Sequence, residues 1–263
     1  MKKRLDVILM ERELFSSREK ARTAIMTGRV LVAGNKQMKA GSMTAEDAKI
    51  EIIGEDPPFV SRGGLKLDKA VKEFSLSFKD KTVLDIGAST GGFSDCALQN
   101  GAKKVYAVDV GYGQLAWSLR TDARVIVLEK TNARYLTAEQ IPERADLIVT
   151  DASFISLKKL IPPLLPFLKE DGFFVSLIKP QFEAGREKVG KKGVVRDPAV
   201  HVEVIGDLLA FFKEQSLFPR KLTFSPIKGP EGNREYLVMA GRQPAPEKLP
   251  AVTDIVARAF EEI

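Results

Sequence analysis

The chain predicts an α/β fold in two parts: a doubly wound sheet of seven strands with an antiparallel last strand, preceded by a small α+β module. Three observations carry this. From residue 82 onward, short apolar runs alternate with helical stretches, as in a parallel sheet covered on both faces. The last two apolar runs, near 219–225 and 235–240, flank Gly229-Pro230-Glu231-Gly232-Asn233, a gap too short for a helical crossover, so they form an antiparallel pair. Glu55-Asp56-Pro57-Pro58 breaks the chain earlier, because consecutive prolines bar helix and stiffen a linker. The chain therefore divides into residues 1–54, a linker over 55–62, and a larger domain over 63–263.

In the first part, Leu5, Ile8 and Leu9 fall at helical spacing between Arg4 and Arg12. Ser16 or Ser17 caps a second helix that ends at Gly28. Two short β segments follow, R-V-L-V-A-G-N-K and A-K-I-E-I-I, the first closed by Gly34-Asn35. The larger domain opens with Phe59-Val60-Ser61-Arg62-Gly63-Gly64 and an amphipathic helix from Leu65 to Phe74. Apolar strands then fall near 82–86, 104–109, 124–128, 146–151 and 172–178, and a last helix runs from Val252 to Glu261.

Composition narrows the chemistry. Hydrophobic residues at 44% and charged residues at 29% give a soluble globular protein with a full core. No apolar run approaches the roughly 20 residues that span a bilayer, and the basic N-terminus lacks the apolar stretch of a secretory signal. Cys96 is the only cysteine, which rules out an intrachain disulfide, and no metal-ligand cluster is visible. His201 is the only histidine, which argues against Ser-His-Asp chemistry and His-paired metal sites. The net charge of +6 points weakly to a polyanionic partner. These features lead us to expect a cytoplasmic monomer with no metal and no membrane contact.

The sharpest signal is V-L-D-I-G-A-S-T-G-G-F, residues Val83 to Phe93. A strand runs into a turn of small residues and then a helix, which lets a backbone approach a nucleotide beside free N–H groups. A dinucleotide fingerprint needs a second glycine where Ser89 stands, so that a pyrophosphate can come close. Asp85 precedes Gly87 by two residues, and a loop edged by carboxylate suits the sulfonium and amino-acid moiety of S-adenosylmethionine. The segment thus reads as a cofactor cradle built from Asp85, Gly87, Ala88, Ser89, Gly91, Gly92 and Phe93. Asp109 ends the second strand about 20 residues beyond Gly87, where a carboxylate accepts hydrogen bonds from a ribose diol, with Val110 beside it. Asn132 follows the third strand with both donor and acceptor groups for an adenine edge. Asp151 ends the fourth strand, at the carboxyl edge where ligands bind.

Lys66, Lys179 and Glu235 stand out by position: within the helix before the cradle, at the end of the apolar run F-F-V-S-L-I-K, and at the start of the seventh strand. A lysine capping a central strand is odd unless it meets an anion or a reacting proton. Methyl transfer to a hydroxyl needs alignment and removal of one proton, which a lysine kept neutral by burial can accept.

These residues carry a resemblance. Lys66, Asp151, Lys179 and Glu235 resemble the K-D-K-E tetrad of FtsJ-like RNA 2′-O-methyltransferases, whose sheet is the seven-stranded Rossmann-like methyltransferase type. Their surroundings, V-S-R-G-G-L-K-L, G-A-S-T-G-G-F, D-A-S-F-I-S-L, K-P-Q-F-E and G-N-R-E-Y, are similar to the TlyA (haemolysin A) family over nearly the whole chain. The N-terminal pattern S-R-x-x-A-R…G-x-V-x-V-x-G resembles the S-four-type RNA-binding domain. The resemblance implies an S-adenosylmethionine-dependent enzyme that methylates the 2′-hydroxyl of cytidine in ribosomal RNA, with the tetrad as its catalytic residues. Lys179 would act on the hydroxyl with Asp151 and Glu235 orienting it, while Lys66 holds the nucleotide or tunes the cluster. Arg4, Arg18, Lys20, Arg22, Lys36, Lys39 and Arg62 would grip RNA, and Phe154 would stack on the target base or pack in the core. The basic loop from Gly185 to Gly193 is either a fold over the RNA backbone or a solvated loop. The competing readings are a non-catalytic ribosome-assembly protein and a haemolysin.

Overall fold

The computed structural model describes residues 1–263 except Ser16, Glu55, Asp56 and residues 245–248, together with the side chain of Glu19. Glu55 and Asp56, the first two residues of the expected linker, and the alternative cap Ser16 lie outside the described residues. The chain forms two compact units, residues 1–61 and 62–263.

In the first unit, β1 (Lys2–Arg4) leads into α1 (Leu5–Glu11), and α2 (Arg18–Met26) follows. Ser17 caps α2, its side chain accepting the Lys20 amide. Then come β2 (Val30–Val32), β3 (Asn35–Gln37), β4 (Met43–Ala45) and β5 (Ile50–Ile52). The first expected β segment is the hairpin β2–β3 and the second is β5, and the central strand β2 pairs antiparallel with both β3 and β5. A second antiparallel pair, β1 with β4, was not legible: it is three residues long and starts Lys-Lys-Arg, with no apolar alternation to betray it. Leu5, Leu9, Ala21, Ala24, Ile25 and Val30 form the core of this unit.

The second unit opens with α3 (Gly63–Phe74), then β6 (Thr82–Ile86), α4 (Gly92–Gln99), β7 (Lys104–Val108), α5 (Trp117–Arg120) and β8 (Val125–Leu128). It continues through β9 (Ala145–Thr150), α6 (Leu157–Leu164), β10 (Leu168–Ile178), α7 (Pro180–Glu183) and α8 (Pro198–Glu214). Last come β11 (Phe218–Phe224), β12 (Tyr236–Gly241) and α9 (Val252–Glu262). The sheet order is β11-β12-β10-β9-β6-β7-β8. Neighbours β8 to β10 pair in parallel, and β12 runs antiparallel to both β10 and β11. Every residue of β6 and β12 is buried, because helices cover both faces, and this is why these strands are mainly apolar, with Thr82 and Asp85 of β6 as buried exceptions. The chain leaves β6 toward β7 and later returns to β9 on its other side. That reversal opens a crevice at the carboxyl ends of β6 and β9, where doubly wound sheets bind ligands.

The single histidine is structural. His201 on α8 is fully buried, with Nε2 3.0 Å from the Val195 carbonyl and Nδ1 2.8 Å from the Tyr236 hydroxyl. A carbonyl only accepts, so Nε2 carries the proton and Nδ1 accepts from tyrosine. Burial lowers the His201 pKa below the ordinary value, so the folded chain keeps the ring neutral. The unfolded chain binds the extra proton below about pH 6.5, and stability therefore falls as pH drops through that value. His201 contributes up to about 1.4 kcal/mol per pH unit to that dependence, and His201→Gln should remove this contribution from the slope. Denaturant unfolding at pH 5 to 7 checks both, and an unchanged slope in the variant would contradict the assignment.

Candidate active site

β9 and β10 end side by side, β12 begins opposite the end of β10, and α3 packs against α4, β11 and β12. Asp151 follows β9, Lys179 follows β10 and Glu235 precedes β12, so each stands at the carboxyl edge, where α3 delivers Lys66. The four side chains meet as a line of alternating charge. Lys179 Nζ lies 2.7 Å from Asp151 Oδ1 and donates to the Asp151 carbonyl (3.0 Å) and to Ser153 Oγ (2.9 Å). Lys66 Nζ donates to Asp151 Oδ2 at 3.3 Å and lies 2.7 Å from Glu235 Oε2. The two contacts at 2.7 Å miss hydrogen-bond alignment, so charge holds them. Asp151 is the most open of the four, its side chain 20% exposed, and Glu235 the most enclosed at 2%, with both lysines largely buried between.

Burial opposes the charge on Lys66, but Asp151 and Glu235 outweigh it and hold its pKa above the ordinary lysine value. Lys66 is therefore an ammonium that bridges two carboxylates. One expectation needs correcting: Glu235 meets Lys66, whereas Lys179 is oriented by Asp151 and Ser153. The order of residues along the chain could not reveal this, because α3 inserts its lysine between two strand ends that follow it in sequence by more than 80 residues.

The cradle lies beside this cluster. Gly87 has φ +80°, and a side chain there would reach 2.9 Å from the Ala152 Cα, directly after Asp151. Gly91 has φ +98°, and a side chain there would collide with Leu115 and Leu119. Ser89 adopts φ +49° and is tethered: Asp109 Oδ2 accepts its amide at 2.8 Å, while Asp109 Oδ1 accepts the Gly111 amide at 2.7 Å. Asp109 thus ties the cradle to the turn after β7 and keeps further lone pairs for a ligand. Val110 beside it is exposed. Ala88 and Gly92 are buried, and the Phe93 side chain belongs to the core, so only its backbone faces the loop. Asn132 caps a short turn, its Oδ1 accepting the Arg134 amide at 3.1 Å.

Asp85 lies under the loop rather than at its rim. It is wholly buried, and Ser94 Oγ donates to its Oδ2 at 2.6 Å. Burial raises its pKa to about 7, against the Ser94 bond, with the Asp151 and Asp109 charges adding to the rise. Its Oδ1 is buried without a hydrogen-bond partner. An orphaned acceptor beneath two positive-φ glycines fits a cationic, nucleoside-bearing group above it.

The expected RNA contacts separate into two kinds. Arg4 grips Asp6 with two hydrogen bonds of 3.0 Å, and Arg18 Nε donates to Asp6 Oδ2 at 3.0 Å. Asp6 is fully buried and its pKa is lowered, chiefly by the Arg4 hydrogen bonds. These two arginines therefore also hold the fold. Lys20, Arg22, Lys36, Lys39 and Arg62 are exposed. Phe154 is 92% exposed at φ +62°, which removes the core alternative, and its ring centre lies 5.2 Å from that of Phe182. Arg134, Ile155, Ser156 and Lys159 join this pair around a groove of about 520 Å³. In the basic loop Lys188 pairs with Glu203, and Asn233 fixes its end through Gly193 and Val195. Asp6, Ser94, Ser153 and Asn233 escaped the sequence reading because each is an ordinary polar residue until the fold supplies its partner. Among the described residues no His, Cys, Asp and Glu group is arranged to hold a metal ion, and no helix is long and apolar enough to cross a membrane.

Comparison with known proteins agrees with this architecture. The FtsJ-like methyltransferase family matches residues 59–242, and the S4 domain matches residues 3–42. A Bacillus subtilis protein, YqxC, named as a candidate rRNA methyltransferase, is 52% identical over 90% of this chain and 85% of its own. The 16S/23S rRNA (cytidine-2′-O)-methyltransferase TlyA of Mycobacterium tuberculosis is 40% identical over 98% of this chain and 97% of its own. A solved structure from Streptococcus thermophilus, described as a hemolysin candidate, superposes with a TM-score of 0.79 at 41% identity, covering 99% of this chain and 96% of that one. With its FtsJ-like domain preceded by an S4 domain, the chain belongs to the FtsJ-like methyltransferase family, in the branch that includes TlyA.

Proposed function

We propose that this protein transfers a methyl group from S-adenosylmethionine to the ribose 2′-hydroxyl of a cytidine in ribosomal RNA of one or both ribosomal subunits. The observation that carries the reading is the junction of the β6 cradle with the Lys179–Asp151–Lys66–Glu235 line at one sheet edge. The chemistry of the TlyA relative supports the same substrate class. When bound, S-adenosylmethionine supplies an electrophilic methyl group on a cationic sulfonium.

On this reading Asp85, the backbone from Gly87 to Phe93, Asp109, Val110 and Asn132 hold the coenzyme. Lys179, once its ammonium has released its own proton, would take the proton of the 2′-hydroxyl as that oxygen accepts the methyl group. Asp151, 2.7 Å away, stabilises the ammonium so formed, and Ser153 fixes its direction. Lys66 stays charged, which keeps Asp151 anchored and Glu235 compensated. Phe154 offers its exposed face to the target base, since an unpaired base stacks on aromatics. The N-terminal unit grips structured RNA through Arg22, Lys36 and Lys39, with Arg4 and Arg18 adding exposed guanidinium edges.

Ribose-methylation mapping on isolated ribosomal subunits, incubated with protein and S-adenosylmethionine, tests the whole reading. No uptake of the coenzyme in calorimetry, with or without subunits, would overturn it. Lys179→Ala should lower kcat by about 10²- to 10⁴-fold with coenzyme binding largely intact; normal turnover in that variant would remove Lys179 from its role. Lys66→Ala leaves Glu235 buried and uncompensated and takes from Asp151 one of its two lysines, and should cost about 3–5 kcal/mol of stability. Adding Glu235→Gln to it should recover part of that loss, which a double-mutant unfolding cycle measures. Replacing Arg22, Lys36 and Lys39 should weaken RNA binding and reduce its salt dependence by about one unit of slope per lost phosphate contact. Filter-binding across a salt series reads this directly, and an unaltered slope would count against the N-terminal grip.

A further inference from the structure

The loop after β9 carries Asp151, Ser153 and Phe154, and the segment after β10 carries Lys179 and Phe182. The transfer geometry proposed above depends on how these two segments are held together. At one end Lys179 reaches Asp151 and Ser153, and in the middle Phe154 packs on Phe182. At the far end Glu183 closes the pair. Its Oε1 accepts the Leu157 amide at 2.7 Å and its Oε2 accepts the Ser156 hydroxyl at 2.6 Å. Ser156 is also the N-cap of α6, its Oγ accepting the Lys158 amide at 3.1 Å.

The clasp has a short, stiff path to the reacting amine. Between Lys179 and Glu183 lies a single helical turn, begun by Pro180 and closed by Phe182 N to Lys179 O (2.9 Å) and Ala184 N to Pro180 O (2.9 Å). On the other side, Phe154 sits at φ +62°, a conformation that a non-glycine residue keeps only when its surroundings impose it. Burial raises the Glu183 pKa while its two bonds oppose that rise, so the carboxylate occupies a site that disfavours it except for those bonds.

We propose that Glu183 is a positioning residue for the methyl transfer: by clasping Ser156 and Leu157 it sets the distance and direction between Lys179 and Asp151. It rests on the reading given under the proposed function, and it concerns a residue that touches neither coenzyme nor ribose. Glu183→Gln retains a carbonyl for the Leu157 amide and an amide group facing Ser156 Oγ, whereas Glu183→Ala removes both bonds.

The test is steady-state methylation of ribosomal subunits by full-length wild type, Glu183→Ala and Glu183→Gln. Coenzyme affinity by calorimetry and amide exchange at Leu157 accompany it. Glu183→Ala should lose roughly tenfold or more in kcat with coenzyme Kd within about twofold, and should exchange faster at Leu157. Glu183→Gln should return to within about threefold of wild type in kcat. Should Glu183→Ala not fold, Ser156→Ala removes one of the two bonds and should show a smaller loss of kcat at unchanged Kd. Normal kcat in Glu183→Ala, or in Ser156→Ala where it stands in, overturns the proposal, as does equal impairment in the glutamine and alanine variants. An inactive wild type would bring down the functional reading itself, an outcome distinct from an active Glu183→Ala.

Discussion

Two lysines and two carboxylates set at the edge of a sheet persist only as a complete line. Each charge is taken largely out of water, and any one left alone would cost several kcal/mol. Because Lys66 is shared by Asp151 and Glu235, and Asp151 by Lys66 and Lys179, the ends of β9 and β10, the start of β12 and the helix α3 must all arrive at one place. The antiparallel insertion of β12 between β10 and β11 is what delivers Glu235 there. A sheet of purely parallel strands would have sent that residue to the opposite edge.

Around this line the loops are tethered by a few polar side chains. Asp109 ties the cradle to the turn after β7, and Thr90 O accepts the Ala116 amide at 3.1 Å to brace it from the other side. Asn233 joins the end of the basic loop to the strand that carries Glu235. Arg234, between them, lies over the Phe260 ring and donates to the Ala259 and Ile263 carbonyls, seating the end of α9. Three consecutive residues thus fix a loop, a helix terminus and the buried end of the lysine–carboxylate line, so a substitution at any of them has effects beyond its own contact.

The first unit shows how basic residues divide between architecture and binding. Asp6 is buried in a unit with a small core, and Arg4 and Arg18 are the reason it can remain ionised there. Their guanidinium groups are half exposed and present donors to the outside as well. Arg22 on α2, Lys36 on β3 and Lys39 just after it are exposed cations with no such structural duty in the core.

The sequence by itself determined the strands of the large sheet to within a few residues, because buried strands are rich in apolar residues and have turn residues at their ends. It also determined the cradle, since positions such as Gly87 and Gly91 demand a backbone that other residues resist. The polar residues at strand ends stood out against those apolar runs. Tertiary structure alone decided which partner each one takes. It gave Glu235 to Lys66 and Ser153 to Lys179, sank Asp85 beneath the loop, drew Arg4 and Arg18 onto Asp6, and turned Phe154 out to solvent. The reason is physical: apolar periodicity is a local property of the chain, whereas an ion pair between residues 85 or more apart exists only after the sheet has brought their strand ends together.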